Sequence, residues 1–204
     1  MTTIRIVAAA LLLGAGVNAG PAALDARMPE PAGSPQPTQS STVVLAEFNR
    51  RVHAYIELRR DIELTVPPLG TTSDPTELRR ATDRLAMAVR AERQDARQGD
   101  IFTPEISAMF RRAIAGNCRG EYVDLLGLIY EELEGPLPPA AVNARWPYTT
   151  ALPTMPPDLL VALPPLPREL QYRFMHRDLV LHDIDANLIV DFVVDAIPSA
   201  VRTN

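Results

Sequence analysis

Between residues 43 and 134 apolar positions recur every three or four residues with charges between them, and from residue 170 onward they recur every second residue. The first period belongs to amphipathic helices, the second to half-buried strands. The first stretch predicts four helices. One runs from Val43 to Leu64 on a stripe of Leu45, Phe48, Val52, Tyr55 and Ile62, with Arg59 standing in the stripe, and stops at Pro67-Pro68. A second starts with Asp74 as cap, Pro75 in the first helical position and Glu77 three residues after the cap. Its stripe is Leu78, Ala81, Leu85, Ala88 and Val89, and Gly99 is its expected left-handed terminator. The short loop before it predicts antiparallel packing on the first helix. Thr103-Pro104-Glu105 opens a third helix, buried through Ile106, Met109, Phe110, Ala113 and Ile114, which Gly116 and Gly120 should break. A fourth spans Glu121 to Glu134 and ends at Gly135-Pro136.

Residues 135–168 are proline-rich and read as ordered loop, with one short strand at Val142–Trp146 and one short helix at Asp158–Leu163. Beyond them Leu170, Tyr172 and Phe174 alternate with Gln171 and Arg173, and Leu188, Val190, Phe192 and Val194 alternate with Asn187 and Asp191. This predicts a hairpin from Leu170 to Ile184 turning on the polar step Arg177-Asp178, then a third strand from Asn187 to Val194. Tyr172, Phe174, Leu181, Val190 and Phe192 would form the buried face. Asp191 and Asp195 are four apart, so a helix over 187–197 is the alternative. The expected fold class is α+β: N-terminal antiparallel amphipathic helices followed by a small C-terminal antiparallel sheet, a hairpin plus one strand. Residues 43–204 are expected to be a single domain, helical over 43–134 and Pro-rich and strand-rich over 135–198.

The N-terminal residues follow another logic. Arg5 precedes an apolar run from Ile6 to Val17, and Val17-Asn18-Ala19 offers small or modest residues where a signal peptidase reads. That order predicts a secretory signal peptide over residues 1–19. The run is too short for an anchor, which needs about 20 apolar residues. Residues 20–42 hold Pro21, Pro29, Pro31, Pro35 and Pro37 among Ser, Thr, Gln and Gly, and read as a disordered linker. The expectation is an exported bacterial protein, periplasmic or extracellular, with no membrane span after signal cleavage.

Charge narrows the partners. All 20 basic residues are arginine, against 25 acids, and loss of Arg5 with the signal leaves 19 against 25. An acidic protein is a poor ligand for nucleic acid or anionic lipid. The arginine pairs Arg50-Arg51, Arg59-Arg60, Arg79-Arg80 and Arg111-Arg112 stand among acids and read as solvated, salt-bridged helix faces. Cys118 is the one cysteine, expected to be a small buried apolar residue rather than a reactive thiol.

Only His53, His176 and His182 could supply imidazole chemistry. The densest polar cluster is His182, Asp183 and Asp185, with Asp178 and Asp191 near in sequence. On a hairpin turning at Arg177-Asp178, His182 lies opposite Arg173 while Asp183 points to the other face beside Tyr172. The two could then not share a metal ion, and the cluster reads as charged rungs. His53 and Glu57, four apart on the first helix, read as a surface pair. There is no G-x-S-x-G elbow and no phosphate-cradling glycine loop. No catalytic, cofactor-binding or metal-ligating residue is therefore assigned, and no cofactor is expected.

The segments GDIFTPEISAMFRR (99–112) and ELQYRFMHRDLVLHDIDANLIVDFVVDAIP (169–198) resemble a family of uncharacterised exported bacterial proteins. The resemblance implies export and carries no activity, cofactor or partner. A small residue often stands in that family where this chain has His176, which implies that His176 is a turn residue. The leading functional expectation is a non-enzymatic envelope protein that binds a protein or small ligand. The alternatives are a periplasmic hydrolase with an acidic or metal site near the hairpin, and a helical chaperone-like factor.

Overall fold

The computed structural model describes residues 39–68, 71–117, 138–148 and 155–198. The expected signal peptide, most of the expected linker, the expected helix over 121–134 and Cys118 lie outside the described residues. The chain is α+β, with α1 (Gln39–Thr65), α2 (Pro75–Glu92), α3 (Pro104–Asn117) and α4 (Pro157–Ala162) ahead of β1 (Leu170–Met175), β2 (Asp178–Asp183) and β3 (Leu188–Val193). The strands form an antiparallel sheet in the order β1-β2-β3. Among the described residues no helix is long and apolar enough to cross a membrane.

Local signals explain the starts of α2 and α3. Asp74 caps α2 by accepting from the Thr76 N–H at 2.8 Å, with Pro75 at the first helical position. The Thr103 side chain accepts from the Ile106 N–H at the start of α3. Other boundaries differ from expectation. The first helix begins at Gln39 rather than Val43, so residues 39–42 are helical and not linker. α2 ends at Glu92, where the Arg93 N–H caps Val89, and Gly99 is left-handed (φ 95°) in the following loop instead of terminating the helix. α3 runs through Gly116 to Asn117. A single glycine near a helix end costs about 1 kcal/mol, too little to stop it. The expected strand over Val142–Trp146 reduces to one bridge, Arg145 with Leu188, beside hydrogen bonds from Asn143 N–H to Ile189 and from Ile189 N–H to Ala144, both 2.8 Å. Asn143 takes a positive φ there, which breaks the extended run. The bridge covers the outer edge of β3.

The sheet follows its alternation with two corrections. The hairpin turns on His176-Arg177, not Arg177-Asp178, and His176 has φ 53°. Tyr172 therefore pairs with Leu181, and His182 with Gln171 rather than Arg173. In β3 the register slips: Leu181 pairs with Asp191 but His182 with Ile189, so Val190 is an extra residue. Such a bulge turns neighbouring side chains to the same side. Val190 and Asp191 both face the helices, and Phe192 moves to the far side, half-buried, instead of joining the core.

The main core lies between the helices and the near face of the sheet. Phe48 of α1, Phe102 of the loop before α3, Phe110 of α3 and Tyr172 of β1 contact in sequence, with ring centroids 5.0 to 5.8 Å apart. Leu45 and Leu78, expected in the stripes, are exposed. A smaller cluster of Trp146, Met175, Val180 and Ile189 covers the far face.

Candidate functional site

On α1 the spacing that buries Tyr55 and Ile62 also buries the residue between them. Arg59 is 2% exposed, and its side chain ends among carboxylates. Its Nε donates to Asp183 Oδ2 at 2.8 Å, one terminal nitrogen lies 2.8 Å from Glu63 Oε1, and the other donates to Asp185 Oδ2 at 2.7 Å. Asp183, the last residue of β2, is fully buried and also accepts from the Tyr55 hydroxyl at 2.6 Å and the Ala186 N–H at 2.9 Å. Burial and the neighbouring Asp183 carboxylate push the Tyr55 phenol well above its ordinary range. Burial alone would lower the Arg59 pKa, but Asp183, Glu63 and Asp185 together hold it above its usual value. Arg93 lies over the Tyr55 ring, 5.0 Å from its centroid, and donates to Asn143 Oδ1 and Val190 O.

Glu63 and Asp185 sit where this buried centre reaches the surface, with side chains 44% and 62% exposed. Between them opens a cleft of about 470 Å³, formed by the end of α1, the early turns of α2 and the β2–β3 turn. Val66, Leu78, Leu85 and Ile184 give it apolar walls.

A second buried carboxylate is held by backbone donors. Asp191 accepts from the backbone N–H groups of Gly99, Ile101, Phe102 and Phe192 at 2.8 to 3.2 Å. Burial raises its pKa while those four donors pull the other way. The positive φ of Gly99 curls the 99–102 loop around the carboxylate. This gives a physical reason for two of the sequence segments to occur together: the GDIF turn is the binding partner of the VDF aspartate.

The cluster singled out in the sequence is dispersed. His182 and Asp183 do point to opposite faces. His182 is buried on the far face, not solvated, between the Gln171 amide at Nδ1 and Asn187 Oδ1 at Nε2, each 2.9 Å away. Burial lowers its pKa, against the Asn187 hydrogen bond. Asp178 accepts from the Asp195 N–H at the far end of the hairpin. His176 is in the hairpin turn, and His53 and Glu57 are exposed on α1. Among the described residues no three His, Cys, Asp or Glu side chains converge as metal ligands. Three of the arginine pairs keep to the surface, Arg50 and Arg51 on Glu47 and Arg111 on Val194 O, but Arg59 overturns the reading of its pair as a solvated face. The signal was present in its place in the apolar stripe. Comparison with protein families, curated proteins and solved structures found no match to this chain.

Proposed function

We propose that this is an exported, non-catalytic binding protein of the bacterial cell envelope, and that it binds a small ligand in the cleft between α1, α2 and the β2–β3 turn. Export is supported by Arg5, the apolar run over 6–17 and Val17-Asn18-Ala19, and by the resemblance of residues 99–112 and 169–198 to exported bacterial proteins. The non-catalytic reading is supported by where the C-terminal ionisable groups are spent. Asp183, Asp191 and His182 are hydrogen-bonded inside the fold, out of reach of a substrate.

The cleft is the observation that carries the binding reading. Its volume of about 470 Å³ falls within the roughly 300–1,000 Å³ of small-ligand pockets, and apolar walls with a few placed polar groups are their usual lining. A neutral solvatochromic dye should brighten on the folded protein, and Ala81→Phe, which projects a ring into the cleft, should abolish the signal. Equal brightening in both proteins would remove the cleft from consideration. N-terminal sequencing of protein taken from its own envelope should begin at Gly20. A membrane-bound form starting at Met1 would make residues 6–17 an anchor.

A further inference from the structure

The rim of the cleft carries more negative charge than its buried cation balances. Asp183, Glu63 and Asp185 all contact the Arg59 guanidinium. Asp183 takes Nε, deep in the core, so the two terminal nitrogens share one positive charge between both rim carboxylates. Arg93 lies on the other side of Tyr55, donating to Asn143 and Val190. Each rim carboxylate spends one oxygen on Arg59, Glu63 Oε1 and Asp185 Oδ2. Glu63 Oε2 and Asp185 Oδ1 accept no side-chain hydrogen bond among the described residues. Arg59 is itself 2% exposed, so an incoming ligand meets acceptors and not the guanidinium. Beside them lie the apolar walls, Val66, Leu78, Leu85 and Ile184.

We infer that the cleft takes a small cationic amphiphile, a primary amine carried on an apolar body, with its ammonium group on the free oxygens of Glu63 and Asp185 and its hydrocarbon against Leu78, Leu85 and Ile184. This rests on the cleft being the binding surface and adds the chemistry of what it binds. An ammonium group supplies three donors, enough for both carboxylates, and lies in the excess negative potential. A bare metal ion would leave the apolar walls unused and finds only two carboxylates here. The Arg59 anchor fixes both carboxylates before binding, which spares the ordering cost that free surface acids would incur.

The test uses n-octylammonium, 1-octanol and octanoate, three ligands sharing one chain, titrated calorimetrically into the full folded protein. Octylammonium should bind tightest and octanoate weakest, and the preference should shrink as salt is raised. Glu63→Gln and Asp185→Asn should each weaken octylammonium by about fivefold, and the pair by about twentyfold, with octanol unchanged. Amide oxygens still accept from Arg59, so these variants keep the fold, and matching urea melts confirm it. If octanol binds as well as octylammonium and Ala81→Phe blocks both, the cationic ligand is wrong while the cleft stands. If none of the three binds, or Ala81→Phe blocks nothing, the cleft and its ligand fall together.

Discussion

On the helix side of the sheet the buried polar groups are carboxylates held by distant parts of the chain: Asp183 by Arg59 and Tyr55, Asp191 by the 99–102 loop. On the far side they form a chain that starts at Arg173 and otherwise runs through uncharged groups. The Arg173 guanidinium donates to Gln171 Oε1, the Gln171 amide to His182, His182 to Asn187 Oδ1, and the Asn187 amide to Trp146 O. The contrast follows from what each face packs against. The near face meets the helices and the 99–102 loop, and the buried carboxylates there draw most of their partners from across that interface. Among the described residues the far face meets a short segment around Trp146, and its polar groups find partners along the strands and in that segment. Near-face polar contacts therefore fix the packing of helices and loop on the sheet, whereas far-face contacts fix the strand register and the seat of the Trp146 segment.

The contrast can be broken most sharply at Asp183. Asp183→Ala should cost about 3–5 kcal/mol, because Arg59 stays buried without its central partner. Replacing both members, Arg59→Met with Asp183→Leu, should recover much of that loss, since an apolar pair has no desolvation penalty to offset. Urea melts of the single and double variants check this. A double variant as unstable as the sum of the singles would mean that Arg59 and Asp183 contribute independently, with no coupling between them.

Aromatic truncation compares the two faces without charge. Phe110 sits in the near-face core and touches Phe48, Phe102 and Tyr172, so Phe110→Ala should cost about 3–5 kcal/mol. Phe192 is half-buried on the far face, and Phe192→Ala should cost about half as much. Equal midpoint shifts in urea would mean that the bulge at Val190 does not turn Phe192 out of the main core.

That bulge marks where sequence reading stops. Alternation of period two located β1, β2 and β3, and the Asp74-Pro75 pair located the start of α2, because each signal acts within a few residues. The inserted Val190 reverses the alternation partway along β3, and it answers to the 99–102 loop about ninety residues away, which supplies the donors for Asp191. Nothing local in Leu188–Val193 encodes that loop. The hairpin register failed for a smaller reason. Arg177-Asp178 looked like the polar turn, but His176 accepts the positive φ and the turn moves back by one residue. Of the cleft, Arg59 was legible as a charge in an apolar stripe, and Asp183 shares the parity of Leu179 and Leu181. Their pairing needs the packing of α1 on the sheet, which neither segment encodes alone.

The faintest difference between the faces is their response to acid, and it has opposite signs. Gln171 Oε1 accepts from Arg173, so its amide group points N–H at His182 Nδ1; Asn187 Nδ2 donates to Trp146 O, so its oxygen points at Nε2. Both amides thus specify neutral His182 with its proton on Nε2, and a second proton on Nδ1 would meet another donor. Burial is the main cause of its lowered pKa, with Arg173 adding and Asn187 and Asp183 opposing. Among the described residues the charged groups acting on His182 are Asp183, next to it in β2, and Arg173. Because the folded pKa lies below the unfolded value near 6.5, the unfolded chain binds more protons in that window. Stability is complete above 6.5 and falls as pH drops toward the folded value, with a slope of at most about 1.4 kcal/mol per pH unit. Asp191 acts the other way, since burial raises its pKa above 3.8 and acidification just above that value favours the folded state. Urea melts across about pH 5 to 8, where histidine titrates, should show stability falling with acid, and His182→Gln should flatten the slope. An unchanged slope in His182→Gln would place the acid sensitivity elsewhere and leave the far face without a titrating group.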